Sequence, residues 1–205
     1  MIYVKERILQ KAEELFRRHG IRSITMDEIA NQLGISKKTI YIYFEDKDQI
    51  VDGVISSIIA VNQQSCNQDR SIALNAIHEV FLAMEMMKEM FQNLNPIILY
   101  DLERNHPEAF KKFLQHKYKY LYHIMKENIE RGIDEDLYRP ELDADVVAKV
   151  RLETMMLSFD QQIFPKTKYN LYEVEEQLIE LYLYGMASLK GRKMIVKYKQ
   201  DRKKS

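Results

Sequence analysis

Hydrophobic residues recur along this chain with the period of an α-helix. In the first 20 residues, Ile8, Ala12, Leu15 and Phe16 fall on one side of a helix that Gly20 ends. The same spacing predicts later helices over residues 46–64, 71–94, 108–131, 143–164 and 171–189. No alternating pattern of the kind that a strand shows persists anywhere. The sequence therefore predicts an all-α fold, with an N-terminal three-helix bundle and a larger C-terminal helical domain.

Residues 25–47 predict two short helices joined by a tight turn. Thr25 is placed to cap the first helix, Gly34 follows its last apolar residue, and Ser36 is placed to cap the second. Ile40 then begins the buried face of the second helix. Two short helices with this connection are typical of a helix-turn-helix, whose second helix enters the DNA major groove.

The outward side of the second helix carries side chains that suit contacts in a DNA groove. Because Ile40 and Phe44 face inward, Lys38 and Ile42 point the opposite way at about 100° per residue. Lysine bonds phosphate or guanine edges, whereas threonine or isoleucine contacts a thymine methyl. Flanking tyrosine hydroxyls and Lys47 suit phosphate oxygens. An exposed helix of an ordinary bundle is the alternative, and it gives no reason for an outward isoleucine beside two lysines.

The N-terminal segment resembles the TetR family of bacterial transcriptional regulators. The resemblance lies in VKERILQKAEELFRRHG, TMDEIA, LGISKKTIYIYF and DKD, and it covers about the first 55 residues. It implies a recognition helix, two phosphate contacts at Tyr43 and Lys47, and a backbone contact at Thr25. Tyr43 stands where many members have histidine. The full candidate set for DNA binding is Thr25, Ser36, Lys37, Lys38, Thr39, Tyr41, Ile42, Tyr43 and Lys47.

The distribution of charge limits where DNA can bind. The net charge is zero, but residues 51–189 carry 14 basic and 22 acidic side chains, while residues 190–205 carry eight basic and one acidic. The acidic middle would repel DNA, which leaves the N-terminal segment as the DNA-binding surface. Binding through a few local cations predicts a shallow dependence of affinity on salt. The basic tail, 190–205, is expected to be a solvated end.

The sequence predicts two functional domains. Residues 1–47 form the DNA-binding domain, and residues 48–205 form an effector-binding and dimerisation domain, with a linker helix at about 46–64. The polar stretch 62–70 is the expected break between domains. A single recognition helix contacts too few bases to be specific, so a homodimer on a palindromic operator is expected. The resemblance implies that the last two long helices form the dimer interface.

Methionines and phenylalanines in the C-terminal part suggest an effector pocket. Flexible thioethers suit a deformable site for an apolar or aromatic small molecule, although the same residues also suit an ordinary core. The candidates are Met84, Met87, Phe91, Met155 and Phe159. No cofactor is predicted. The function predicted is therefore a transcriptional regulator, a repressor that a small molecule releases from DNA.

Other classes of function have weaker support. The scattered glycines build no phosphate-binding loop, and no catalytic motif appears, so an all-helical enzyme is disfavoured. An architectural or coactivator protein that acts through protein partners is the second alternative, but it has no use for the basic helix. His116, His123 and Glu127 share a helix face but predict no metal site. A lone cysteine, Cys66, and the absence of a membrane-spanning run or a signal peptide favour the cytoplasm.

Overall fold

The fold consists of α-helices. A computed structural model describes residues 2–202 of the chain, with side chains from Tyr3 onward. Within that range eleven α-helices form and no strand does, apart from a single bridge between Tyr138 and Ala187. The all-α prediction is confirmed.

Helix bounds follow the apolar pattern more closely at the N-terminus than later in the chain. In chain order the helices are α1 (Ile2–His19), α2 (Met26–Leu33), α3 (Lys37–Tyr41), α4 (Lys47–Ile72), α5 (Ala76–Phe91), α6 (Ile97–Asn105), α7 (Pro107–Gln115), α8 (Tyr122–Asp134), α9 (Ala144–Leu157), α10 (Leu171–Met186) and α11 (Leu189–Arg202). A π-helical segment, His116–Leu121, joins α7 to α8.

The chain divides into two compact units. The first contains residues 1–62 and 93–116, and the second contains residues 63–92 and 117–205. One division therefore falls within helix α4. The assignment of residues 1–47 to DNA binding and of residues 48–205 to effector binding and dimerisation concerns function, and it stays a prediction.

The first unit has a single hydrophobic core. Its buried members come from α1 to α4 and from α6 and α7, and they include Ile8, Ala12, Leu15, Phe16, Ile29, Ile40, Phe44, Ile50, Val54, Leu102 and Ala109. Leu102 and Ala109 explain why α6 and α7 belong with the N-terminal helices, although they lie far along the sequence. The Asn95 backbone N–H also donates to the Arg17 carbonyl at 2.7 Å, which ties the segment before α6 to the end of α1.

The second unit packs its helices around another core. Helix α8 contacts α5 and α9, helix α10 contacts α5 and α9, and α11 contacts α5. The shared buried residues include Ile77, Phe81, Met84, Ile129, Tyr138, Ala148, Ile179, Leu183 and Ile195.

The division between the two units falls between residues 62 and 63, at the polar stretch where a break between domains was expected. Helix α4 nevertheless continues through this stretch to Ile72, so its predicted end at residue 64 is wrong. Polar residues do not stop a helix in the absence of proline and glycine. Contacts within the second unit also hold this part of the helix. Tyr120 donates to the Gln63 carbonyl at 3.0 Å and to Asn67 at 3.1 Å, and Arg70 pairs with Glu127.

For residues 190–202 the expected solvated tail is also wrong, because residues 189–202 form helix α11. The last three residues of the predicted tail, 203–205, lie outside the described residues. Ile195 is buried in the second core, and the Tyr198 ring stacks on His78 with centroids 5.0 Å apart. Three of the basic side chains have acidic partners within the unit: Lys190 pairs with Asp136, Lys199 with Glu180, and Arg202 with Glu176. The basic run is therefore a helix that packs Ile195 into the core of the second unit.

Four other predictions of helices differ from the structure. Helix α6 was not predicted, and α5 begins only at Ala76 because Asn75 caps it. The predicted helix over 108–131 is interrupted by the π-helical segment. The predicted helix over 143–164 ends at Leu157, after which residues 158–164 form turns. Apolar spacing detects helical residues but does not show where one helix gives way to the next.

Candidate DNA-binding interface

Local capping interactions build the two helices of residues 25–47 as predicted. The Thr25 hydroxyl accepts a hydrogen bond from the Glu28 N–H at 3.1 Å. At the other end of α2, Gly34 has φ +66°, and the Gly34 and Ile35 N–H groups donate to the Asn31 and Ala30 carbonyls, both at 3.1 Å. These two bonds form the Schellman motif, in which a left-handed residue closes a helix.

Ser36 begins the second helix as its cap. Its Oγ accepts from the Thr39 N–H at 3.1 Å and lies 2.9 Å from the Thr39 hydroxyl. The Thr39 N–H, one of the unfilled donors at the start of α3, therefore gains a partner inside the motif. The hydroxyls of Ser36 and Thr39 also bond to each other, so both are held in defined positions.

The two faces of α3 separate as the sequence predicted. Ile40 and Phe44 are buried in the core of the first unit. Lys38 is exposed, Tyr41 is 49% exposed and Ile42 is 69% exposed. An isoleucine this accessible gains nothing from the core of its own unit, so the outward face of α3 is an apolar and basic surface that suits a groove.

Two of the predicted cations already have partners within the unit. The Lys37 ammonium donates to the Asp27 carboxylate at 2.7 Å, across the turn between α3 and α2. The Lys47 ammonium donates to the Ile21 carbonyl at 2.6 Å and lies 6.0 Å from the centre of the Phe16 ring. Burial lowers the pKa of Lys47, and nearby Asp101 opposes this effect. Lys47 therefore holds the segment before α2, in addition to any contact with phosphate.

One positioning residue escaped the sequence analysis. The buried carboxylate of Asp101, on α6, accepts the Arg22 backbone N–H at 2.9 Å. This bond fixes the turn that leads into α2, although the two residues are 79 positions apart. No local pattern in the sequence signals it, because the bond depends on α6 packing in the first unit.

The helix-turn-helix coincides with a family match. Residues 8–54 match the model of the family described as bacterial regulatory proteins, tetR family. The match spans α1, α2, α3 and the start of α4, which are the elements that present Lys38 and Ile42. The N-terminal part of the chain belongs to the TetR family.

Similarity to individual regulators extends along most of the length of the chain. It is 24% identical over 194 residues to the HTH-type transcriptional regulator YvaF of Bacillus subtilis, covering 89% of this chain and 95% of YvaF. It is 21% identical over 192 residues to the HTH-type transcriptional repressor KstR2 of Mycolicibacterium smegmatis, covering 92% and 93% respectively. The family match and these relatives make the chain a DNA-binding transcriptional regulator with a helix-turn-helix.

A solved structure agrees on the fold. FadR from Bacillus subtilis, in complex with stearoyl-CoA, superimposes on the regulator with a TM-score of 0.68 and 20% identity, covering 88% of this chain and 98% of FadR. The likeness confirms the arrangement of helices of a TetR-family protein.

The candidate effector residues of this regulator all lie in the second unit. Met84 is buried in the core, and Met87 packs against it. The Phe91 and Phe159 rings meet edge to face with centroids 5.5 Å apart. Met155 is buried one helical turn before Phe159. The structure therefore places part of the set in the core and brings the two phenylalanines together.

The remaining candidates have structural surroundings of their own. His116 Nε2 lies 2.9 Å from Asn62 Oδ1, and Glu127 pairs with Arg70. Among residues 2–202, no group of three or more His, Cys, Asp or Glu side chains is placed to hold a metal ion.

Burial raises the pKa of Cys66 to about 11, which keeps the thiol protonated near neutral pH. No helix within the described range combines the length and apolarity that a membrane crossing needs.

Proposed function

We propose that this regulator is a homodimeric repressor that binds a palindromic operator and is released by a small-molecule effector. The observation that carries the DNA-reading part is the outward face of α3, where Lys38 and Ile42 are exposed while Ile40 and Phe44 are buried. Lysine reads guanine edges or phosphate, and isoleucine reads a thymine methyl. Lys37, Thr39 and Tyr41 flank this face.

Contacts with the DNA backbone would surround the base-reading residues. The exposed Thr25 and Ser36 lie at the starts of α2 and α3, where hydroxyls and helix N–H groups suit phosphate. Tyr43 packs partly against the core of the first unit, and its hydroxyl is the group assigned to phosphate. Lys47 would contribute positive charge beside the same backbone while it remains bonded to Ile21.

The dimer is assigned to helices α9 and α10. Each helix leaves apolar side chains exposed, and on α10 an added Cβ at Gly185 would meet no atom within 4 Å. The exposed or half-exposed apolar positions are Val146, Val150, Leu157, Leu178 and Leu181, and Leu189 is exposed at the start of α11. Apolar surface of this extent, next to a glycine that permits close approach of helices, suits a partner surface of the same kind.

Repression and release are supported by relatives. KstR2 is named as a repressor, and the FadR structure holds stearoyl-CoA. The paired rings of Phe91 and Phe159, with the buried Met155 and Met84, favour an apolar or aromatic effector in the second unit. DNA binding in a bacterial cell places the protein in the cytoplasm.

Selection of bound duplexes from a random DNA pool tests the proposal. The expected result is a palindrome whose half-sites are about one helical turn, or a multiple of it, apart. A Lys38→Ala variant should select a changed sequence, whereas Lys193→Ala, an exposed lysine on α11, should select the original one. Failure to enrich any sequence would contradict operator recognition and favour a protein that acts through protein partners.

A further inference from the structure

Helices α9 and α10 bury an ion pair in the second unit. Arg151 on α9 is 4% exposed and Glu175 on α10 is 0% exposed. The Arg151 Nη2 donates to the Glu175 Oε1. Burial raises the pKa of the Glu175 carboxyl, while the guanidinium and the nearby Ser158 hydroxyl oppose that rise. Burying an ion pair in this position lowers the stability of the fold unless its remaining polar atoms are also hydrogen-bonded.

Each side chain of the pair has one buried atom with no partner. Among the described residues, nothing hydrogen-bonds the Arg151 Nη1 or the Glu175 Oε2. The Ser158 hydroxyl, which opposes the rise in the pKa of Glu175, donates to the Met155 carbonyl at 2.8 Å. Buried polar groups in folded proteins are nearly always bonded, so two adjacent exceptions on one ion pair require an explanation.

The surroundings of the pair are apolar and aromatic. The Arg151 guanidinium carbon lies 5.7 Å from the centre of the Tyr182 ring. Met155 follows Arg151 by one turn of α9, and Phe159 follows Met155 by four residues, with its ring against Phe91. The pair thus involves the helix that carries Met155, one of the residues already assigned to the effector.

We propose that Arg151 and Glu175 anchor the polar head of the effector. In this arrangement the Arg151 Nη1 donates to an acceptor on the ligand, and the Glu175 Oε2 accepts from a donor on the same head. The inference rests on the proposed function, because it names the chemistry of the effector that the second unit binds.

The pair selects a particular kind of head. One N–H donor and one carboxylate acceptor, on two side chains that bond to each other, match a group with an acceptor and a donor on neighbouring atoms, of which a primary carboxamide is the simplest. Because Arg151 and Glu175 neutralise each other, a charged head would be buried without compensation. The effector is therefore an apolar molecule with an uncharged, hydrogen-bonding head of the carboxamide type.

Two matched probes test this anchor without DNA. Octanamide offers both acceptor and donor, whereas N,N-dimethyloctanamide keeps the acceptor and loses the donor. Isothermal titration of the full chain measures the affinity for each probe. The ratio of the octanamide affinity to the N,N-dimethyloctanamide affinity should be about tenfold larger for the wild type than for an Arg151→Met/Glu175→Met variant. A factor of about ten is the effect of one charge-assisted hydrogen bond. A Lys149→Met variant, which breaks only the exposed pair with Asp145 on α9, should keep the wild-type preference.

The double variant is expected to fold, because apolar residues of similar volume often replace a buried ion pair without loss. Circular dichroism and urea unfolding check this. If it does not fold, Arg151→Lys takes its place, since lysine keeps the charge beside Glu175 but lacks the second donor nitrogen. Equal probe preference in the wild type and the variant, or no binding of either probe by the wild type, would overturn the anchor.

The outcome separates this inference from the proposed function. A protein that selects a palindrome but shows no head-group preference would remain a regulator without this anchor. A protein that prefers octanamide but selects no duplex would keep the anchor and lose the operator.

Discussion

The Lys37 ammonium lies 2.7 Å from the Asp27 carboxylate, so the helix assigned to base reading is paired with an acidic residue of the preceding helix. The hydrogen bond to Asp27 raises the pKa of Lys37, which keeps the ammonium charged. Both side chains are exposed, and exposed pairs contribute little to folding. The effect of this pair should therefore appear in DNA binding more than in stability.

An Asp27→Asn variant should bind duplex DNA more tightly regardless of sequence. The change removes a negative charge beside the DNA surface and releases Lys37 for a phosphate. We expect the affinity for duplex DNA to rise a few-fold at low salt. The slope of log affinity against log salt concentration should also be steeper by about one. Fluorescence anisotropy with selected and scrambled duplexes measures both. Glu103→Gln, an exposed carboxylate on α6, is the matched control, and an equal gain there would show only a general charge effect.

Lys47 and Lys38 should respond differently to the same substitution. Lys47→Met removes the hydrogen bond to the Ile21 carbonyl and should lower the free energy of unfolding by about 1 kcal/mol. Lys38 is exposed, so Lys38→Met should leave stability unchanged and alter only DNA binding. Urea unfolding compares the two variants. Equal stabilities for both would mean that the Lys47 bond to Ile21 contributes nothing to the fold.

The turns before α2 and after α2 should differ in their tolerance of alanine. Gly20 has φ +84°, and an added Cβ would lie 2.8 Å from Ile97 Cγ2 and 2.9 Å from Asp101 Oδ2. Gly34 has φ +66°, and an added Cβ would meet no atom within 4 Å. Gly34→Ala should therefore cost about 1 kcal/mol from backbone strain alone, and Gly20→Ala roughly 2–4 kcal/mol because crowding is added. Urea unfolding measures the loss of stability in the two variants. A larger loss for Gly34→Ala than for Gly20→Ala would contradict this prediction.

The thiol of Cys66 should be slow to react and sensitive to alkaline pH. Its pKa rises from 9.0 to about 11 through burial, with Asp69 and Glu79 adding to the shift. At pH 8 the folded protein should react with iodoacetamide about 100-fold more slowly than the urea-unfolded chain. Between pH 9 and 11 the native state holds the proton that the unfolded state loses, so stability falls as pH rises there. Cys66→Ala should reduce this alkaline loss, and a fast native reaction at pH 8 would contradict the shift.

The helix-turn-helix was predictable because its determinants are local. Thr25 and Ser36 cap residues three positions ahead, and Gly34 closes a helix through bonds within five residues of itself. The alternation of buried Ile40 with exposed Ile42 follows from helical geometry alone. Each of these features depends on neighbouring residues, which a single sequence displays.

Features that depend on distant residues were not predictable. The bond from Asp101 to the Arg22 N–H joins positions 79 apart, and the continuation of α4 depends on contacts such as that of Tyr120 with Gln63. The ion pair of Arg151 with Glu175 joins two helices whose packing the sequence does not specify. Polar stretches and basic runs predict exposure on average, but tertiary contacts decide each case.

The exposed apolar face of α9 and α10 should control the oligomeric state. Leu181 is 73% exposed on α10. If this face pairs with the same face of a second copy, Leu181→Glu places two carboxylates in an apolar interface, where they repel and lose solvation. We expect the variant to be a monomer in analytical ultracentrifugation at concentrations where the wild type is a dimer.

Leu74→Glu provides the matched control for that experiment. Leu74 is 76% exposed, but it lies in the segment between α4 and α5, outside the proposed interface. The Leu74→Glu variant should therefore remain a dimer. Any difference in oligomeric state between the two variants then reflects the position of the substitution and not its exposure or charge. Loss of the dimer should also weaken operator binding at least tenfold, because each half-site is then held by one recognition helix. A Leu181→Glu protein that stays dimeric would contradict the assignment of α10 to the interface. A monomeric variant with full operator affinity would contradict the need for two-fold recognition.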